Sequence, residues 1–244
     1  MRYPGRPVAN WGRGYPNAVA TRNGGSGAQA RITLRPIASP LPLGLLCVMT
    51  AGTLLSLQQL GAFEVTEGRT IGFILVGFVV PLTLVATVFA FLARDTIAGT
   101  ALGLFTGAWL ATALTILTSP PGSTSDPIGV FFLCFAGALL VLVAGTSFGK
   151  LGFALVILAG TSRFALSGLY ELTGDVNVER AAGVTGLVLA GAALYAALAT
   201  ELEDVRGQPT LPLARRANAR DALEGSLESQ LERIEHEAGV RQQL

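Results

Sequence analysis

Of the 244 residues, 51% are hydrophobic and only 14% are charged, with a formal net charge of +1. A soluble domain usually carries about 25% charged residues, and here the charge collects at the two ends, leaving residues 40–202 apolar. That distribution excludes a water-soluble globule, and it gives no ground for a nucleic-acid partner because the basic residues form no single patch.

A hydrocarbon core roughly 30 Å thick needs about 20 apolar residues per helix, so the apolar stretch has room for six spans joined by short loops. The fold class expected is therefore an all-α integral membrane six-helix bundle. Residues 1–37, rich in Arg, Gly, Pro and Asn, read as a disordered cytoplasmic arm, because they cannot bury enough apolar surface to order themselves. They do not read as a cleavable signal peptide, since no apolar core follows the opening charges closely.

Residues 38–213 form the expected transmembrane domain. The first span, residues 40–62, opens on Pro-Leu-Pro, which suits a helix start where no backbone donor is needed. The second, residues 70–93, contains Pro81 and should kink there or leave a carbonyl free. Arg94 and Asp95 turn the chain into a third span at 97–118. Residues 119–126, Ser-Pro-Pro-Gly-Ser-Thr-Ser-Asp, are a loop. The fourth span is placed at 127–147, the fifth at 151–172, and the sixth at 181–202 after a polar loop with Asp175, Asn177 and Glu179. Beyond it, residues 214–244 carry Leu227, Leu231, Ile234 and Ala238 at helical spacing on a Glu-rich background, an amphipathic tail helix. Two heptads are too few to claim a coiled coil from it.

Arginine placement orients the bundle. With the N-terminus inside, the inner segments hold Arg94, Lys150 and every Arg of both tails, while the outer loops hold only Arg69 and Arg180. The positive-inside rule favours this arrangement, and an even number of spans returns the C-terminus to the cytoplasm. The expected location is the cell membrane.

Gly99, Gly103 and Gly107 on the third span make a small-xxx-small repeat that admits another helix closely, and Gly145 and Gly149 repeat it at the end of the fourth. Cys47 and Cys134 lie in apolar spans without metal-like spacing and read as small hydrophobes. Arg163, a dozen residues into the fifth span, is the one charge well inside the bilayer. It either snorkels or bonds a helix carbonyl, or it lines a conduit and attracts an anion, since guanidinium holds carboxylates bidentately. No nucleophile–base pair, metal cluster or phosphate loop appears, so neither an enzyme nor a cofactor is expected.

The segment 39–45, Ser-Pro-Leu-Pro-Leu-Gly-Leu, resembles the signature Asn-Pro-Ala-Pro-Leu-Gly-Leu of the acetate uptake transporter family, the YaaH-like acetate/succinate permeases, with Pro40, Pro42, Leu43, Gly44 and Leu45 matching. Tyr195, Gly207 and the Leu211-Pro212 pair match that family's closing pattern, and Thr96, Phe105 and Trp109 survive from its third-helix motif. The resemblance implies a homo-oligomeric ring, typically a hexamer, with a path through each subunit for acetate and related small carboxylates, proton-coupled or channel-like. It places substrate passage at Ser39–Leu45 and a neck at Val48, Phe105 and Gly160. Ser39 replaces the family's Asn, Val48 an aromatic, Gly160 a Leu and Phe105 a Tyr, so the passage is expected to be wider or differently shaped, with Arg163 adding positive charge. The competing expectation is a non-transporting membrane scaffold or regulatory protein on the same frame.

Overall fold

The computed structural model describes residues 38–146, 151–206 and 210–213. The arm at 1–37, the tail at 214–244, and Gly149, Lys150 and Gly207 lie outside these residues. Among the described residues all regular structure is helical, and six helices are long and apolar enough to cross a membrane. The protein is a multi-pass membrane protein. The spans are α1 (Leu41–Gln59), α2 (Val65–Leu92), α3 (Thr96–Thr118), α4 (Asp126–Thr146), α5 (Leu151–Thr173) and α6 (Val176–Arg206).

Two helix starts depart most from the sequence expectation. α2 starts near Val65 rather than at 70, through a short 3-10 turn in which the backbone N–H of Glu64 donates to Glu67 Oε2 at 3.0 Å. α6 starts near Val176 rather than at 181, because Asp175 caps it: Asp175 Oδ1 accepts from the Asn177 backbone N–H at 2.8 Å. At 31 residues α6 is roughly 46 Å long, more than the hydrocarbon core requires.

The disturbance expected at Pro81 takes the form of a π-turn, residues Leu75–Val79, just ahead of the ring. Thr83 Oγ1 then donates back to the Val79 carbonyl at 2.7 Å. At the other end of α2 the chain reverses through Arg94 at φ 62°, and Asp95 caps α3 by accepting from the Ala98 N–H at 3.0 Å.

The closest helix pairs are α1–α6, α4–α5, α5–α6 and α2–α3. Small residues make these approaches possible, since lipid tails supply no hydrophobic drive between helices and van der Waals contact must. On α1–α6, a β-carbon at Gly52 would sit 3.5 Å from that of Ala190. On α4–α5, Gly129 and Gly168 face one another so closely that a β-carbon at 168 would lie 2.8 Å from the Gly129 carbonyl oxygen. The glycine repeat of α3 divides. Gly99 packs on the Phe91 ring and Gly103 on Thr87, both from α2, whereas Gly107 and Gly145 are exposed, and among the described residues a β-carbon at either would meet nothing within 4 Å. The outward faces of α2 and α4 carry Phe73, Phe78, Phe91, Val130 and Val141, all more than half exposed, as expected for surfaces meeting lipid or a neighbouring subunit.

Candidate functional site

The bundle centre is aromatic. Phe105 stacks on Trp109 with ring centroids 5.7 Å apart, Phe135 meets Phe105 edge-on at 5.6 Å, and Phe164 meets Phe135 edge-on at 4.4 Å. These rings come from α3, α4 and α5, so one cluster ties three helices together. Edge-on and offset contacts of this kind each contribute about 0.5–1.5 kcal/mol beyond area burial.

On one side of this cluster lies a cavity of about 450 Å³, which opens among the loops at Gly61–Val65 and Gly122–Ser123 and the first turn of α6. Its upper wall is polar, with Gln58, Gln59, Thr112, Thr115, Glu171 and Glu179. Its floor is Trp109, Phe132, Phe164 and Arg163. At the rim, Glu171 accepts from the Ser125 backbone N–H at 2.8 Å, and Tyr170 donates to Glu179. Serine 39 lies at the opposite end of the bundle, at the exposed start of α1.

Arg163 is 3% exposed and is held by neutral groups. Its Nη1 donates to Ser56 Oγ at 3.1 Å, to Gln59 Oε1 at 3.1 Å and to the Ala182 carbonyl at 3.4 Å. Gln59 in turn donates from Nε2 to Ser167 Oγ at 3.3 Å, and Ser167 lies one turn beyond Arg163 on the same helix. The guanidinium passes between α1 and α6 only because residue 186 is glycine: a β-carbon there would collide with Arg163 Nη1 and Ser56 Oγ. The guanidinium carbon also lies 5.9 Å from the Phe164 ring centroid.

Several residues singled out from sequence come together. Leu45, Val48 and Phe105 belong to one buried core, and Gly160 lies against Phe105, where a β-carbon would sit 3.1 Å from its Cζ and 3.4 Å from Leu139 Cδ1. Pro42 and Gly44 are buried, and Gly44 packs on the Leu102 side chain of α3. Ser39 is exposed, Pro40 is half-buried, and Leu43 points outward at 36% exposure. The residues around Arg163 were not singled out from sequence. Ser56 and Gln59, spaced three apart in an apolar helix, and Ser167, four after Arg163, were the available signal.

The sequence matches the profile of the GPR1/FUN34/yaaH family over residues 23–207, well over half of its length. The chain belongs to this family. Among solved structures it is similar to a bacterial acetate channel, SatP, with a TM-score of 0.66 and 24% identity, covering 73% of this chain and 100% of the other. That likeness establishes a shared fold. No curated protein matches the sequence. The closing pattern that suggested the family has a structural counterpart here: the Tyr195 hydroxyl of α6 donates to the Pro212 carbonyl at 3.1 Å, and the Gly152 N–H of α5 donates to the Leu213 carbonyl at 3.0 Å.

Proposed function

We propose that this GPR1/FUN34/yaaH member is a channel-like permease for acetate or another small carboxylate in the cell membrane. Both termini are cytoplasmic in this reading, and the vestibule above Arg163 opens outward. The observation that carries it is a cationic side chain at mid-span, bonded among the described residues only to neutral groups, on the floor of a polar vestibule. Family membership and the fold shared with an acetate channel support the substrate class.

The carboxylate would enter by the vestibule, meet Arg163, pass the apolar neck of Phe105, Gly160 and Val48, and leave near Ser39, Pro40, Pro42 and Gly44. An apolar neck favours the neutral acid or a carboxylate briefly stripped of water. Proton symport would then follow from passage of the acid form. The broad apolar faces of α2 and α4 suit assembly into a homo-oligomer, a hexamer by analogy with the family. Uptake of radiolabelled acetate and longer carboxylates into proteoliposomes tests the reading, and absence of flux for the whole panel would sink it.

One observation favours a second reading. The rings of Phe105, Trp109, Phe135 and Phe164 fill the bundle centre, which also suits a non-transporting scaffold on the same frame. A folded, reconstituted protein without flux for any small solute would select it.

A further inference from the structure

Two buried nitrogens beside the vestibule floor have no hydrogen-bond acceptor among the described residues: Arg163 Nε and Trp109 Nε1. They belong to different helices, α5 and α3, and flank the same ring. Phe164 has its centroid 5.4 Å from that of Trp109 and 5.9 Å from the Arg163 guanidinium carbon. Both residues line the cavity. Trp109 is fully buried and Arg163 is 3% exposed.

Both groups can only donate. A buried donor left unpaired is destabilising, and an uncompensated buried charge is more so. The three partners of Arg163 Nη1 bring no negative charge. Trp109 has no second polar atom with which to satisfy itself. One acceptor bearing negative charge answers all three deficits at once. Water supplies an acceptor but no charge. A phosphate would bring a heavily hydrated head against the apolar rings of Phe132 and Phe164. A carboxylate with a short apolar tail fits both the donors and the rings.

We propose that the vestibule floor is a carboxylate-binding site in which Arg163 Nε–H and Trp109 Nε1–H donate to the two oxygens of one bound anion. Ser56, Gln59, Ser167 and Gly186 act as positioning residues: Ser56 and Gln59 hold the guanidinium by Nη1, Ser167 holds Gln59, Gly186 leaves the space, and Nε keeps no partner among the described residues. The site deepens the transport reading and rests on it for the class of ligand, but binding is measurable without flux.

Trp109 is its own reporter, because the chain holds just one other tryptophan, Trp11. The full-length Trp11→Phe protein in detergent is titrated with acetate, butyrate and chloride while indole emission is followed. A saturable shift with acetate or butyrate and none with chloride at equal ionic strength is expected. Arg163→Met should abolish it, and Arg163→Lys, which keeps charge but loses the planar fork, should weaken it about tenfold. Trp109→Phe, read by calorimetry, should weaken binding by a similar factor. Thermal midpoints establish that each variant is folded. An equal response to chloride would overturn the assignment to carboxylate. A carboxylate response unchanged in folded Arg163→Met or Arg163→Lys would overturn the site, as would no response by either method. Binding without flux upholds the site and defeats the transport reading. Flux that is indifferent to Arg163→Lys and Trp109→Phe does the reverse.

Discussion

Gly186 of α6 and Arg163 of α5 are fitted to each other: the guanidinium occupies the space that any β-carbon at 186 would take. The colliding atoms are side-chain tips, Arg163 Nη1 and Ser56 Oγ, so a methyl group there displaces the guanidinium before it parts the helices. Gly186→Ala should therefore break the bonds from Nη1 to Ser56 and Gln59 and lower stability by about 1–3 kcal/mol. In an Arg163→Met background the same substitution should cost less, because one of the two groups it displaces is gone and the other, Ser56 Oγ, no longer has a guanidinium bond to lose. Thermal unfolding midpoints of the four proteins in detergent complete the cycle, and equal shifts in both backgrounds would refute the coupling.

The neck makes a separate prediction. Phe105 packs on Gly160 and on the rings of Trp109 and Phe135, so Phe105→Ala should cost about 3–5 kcal/mol through the cavity it leaves. If the aromatic centre is the barrier to passage, the same variant raises carboxylate uptake severalfold despite its lower stability. Gly160→Leu forces extra atoms against Phe105 and Leu139, and should lower both stability, by about 1–3 kcal/mol, and flux. Proteoliposome uptake, normalised to reconstituted protein, separates the two effects.

Where the closing segment docks, two bonds of different kind invite comparison. Tyr195→Phe removes one hydroxyl donor to the Pro212 carbonyl and should cost only about 0.5–1.5 kcal/mol. Gly152→Ala should cost more, because its β-carbon would lie 2.8 Å from the Leu213 carbonyl oxygen, a backbone atom that moves only if residues 211–213 move. Limited proteolysis should cut Gly152→Ala faster than wild type after α6, with Tyr195→Phe between them.

The six spans were legible because membrane insertion depends on composition over some 20 residues, which a sequence displays directly. Helix ends were less so. Asn177 and Glu179 are polar and suggested a loop, yet Asp175 caps a helix that already contains them. Pro81 announced a disturbance in α2, but its form as a π-turn depends on backbone geometry that no residue type specifies. Arg163 stood out as an anomaly, while its partners did not. Ser56 and Gln59 precede it by more than a hundred residues, and Gly186 is indistinguishable in sequence from a glycine that merely admits a helix. Trp109 was noticed as a surviving motif residue, but its unpaired nitrogen emerges only from the packing around it.

Orientation supplies the last prediction. If arginine placement sets the topology, the α2–α3 turn is cytoplasmic and the α3–α4 loop is external. Ala93 and Thr124 are exposed at these opposite ends. Replacing Cys47 and Cys134 by alanine gives a background without thiols, since they are the chain's only cysteines. In intact cells a membrane-impermeant maleimide should label Thr124→Cys and leave Ala93→Cys unlabelled until the membrane is permeabilised. The reverse pattern would invert the bundle and turn the Arg163 vestibule toward the cytoplasm. Because the vestibule and Ser39 lie at opposite ends of the same helices, this one measurement also decides which end of the proposed path an external carboxylate meets first.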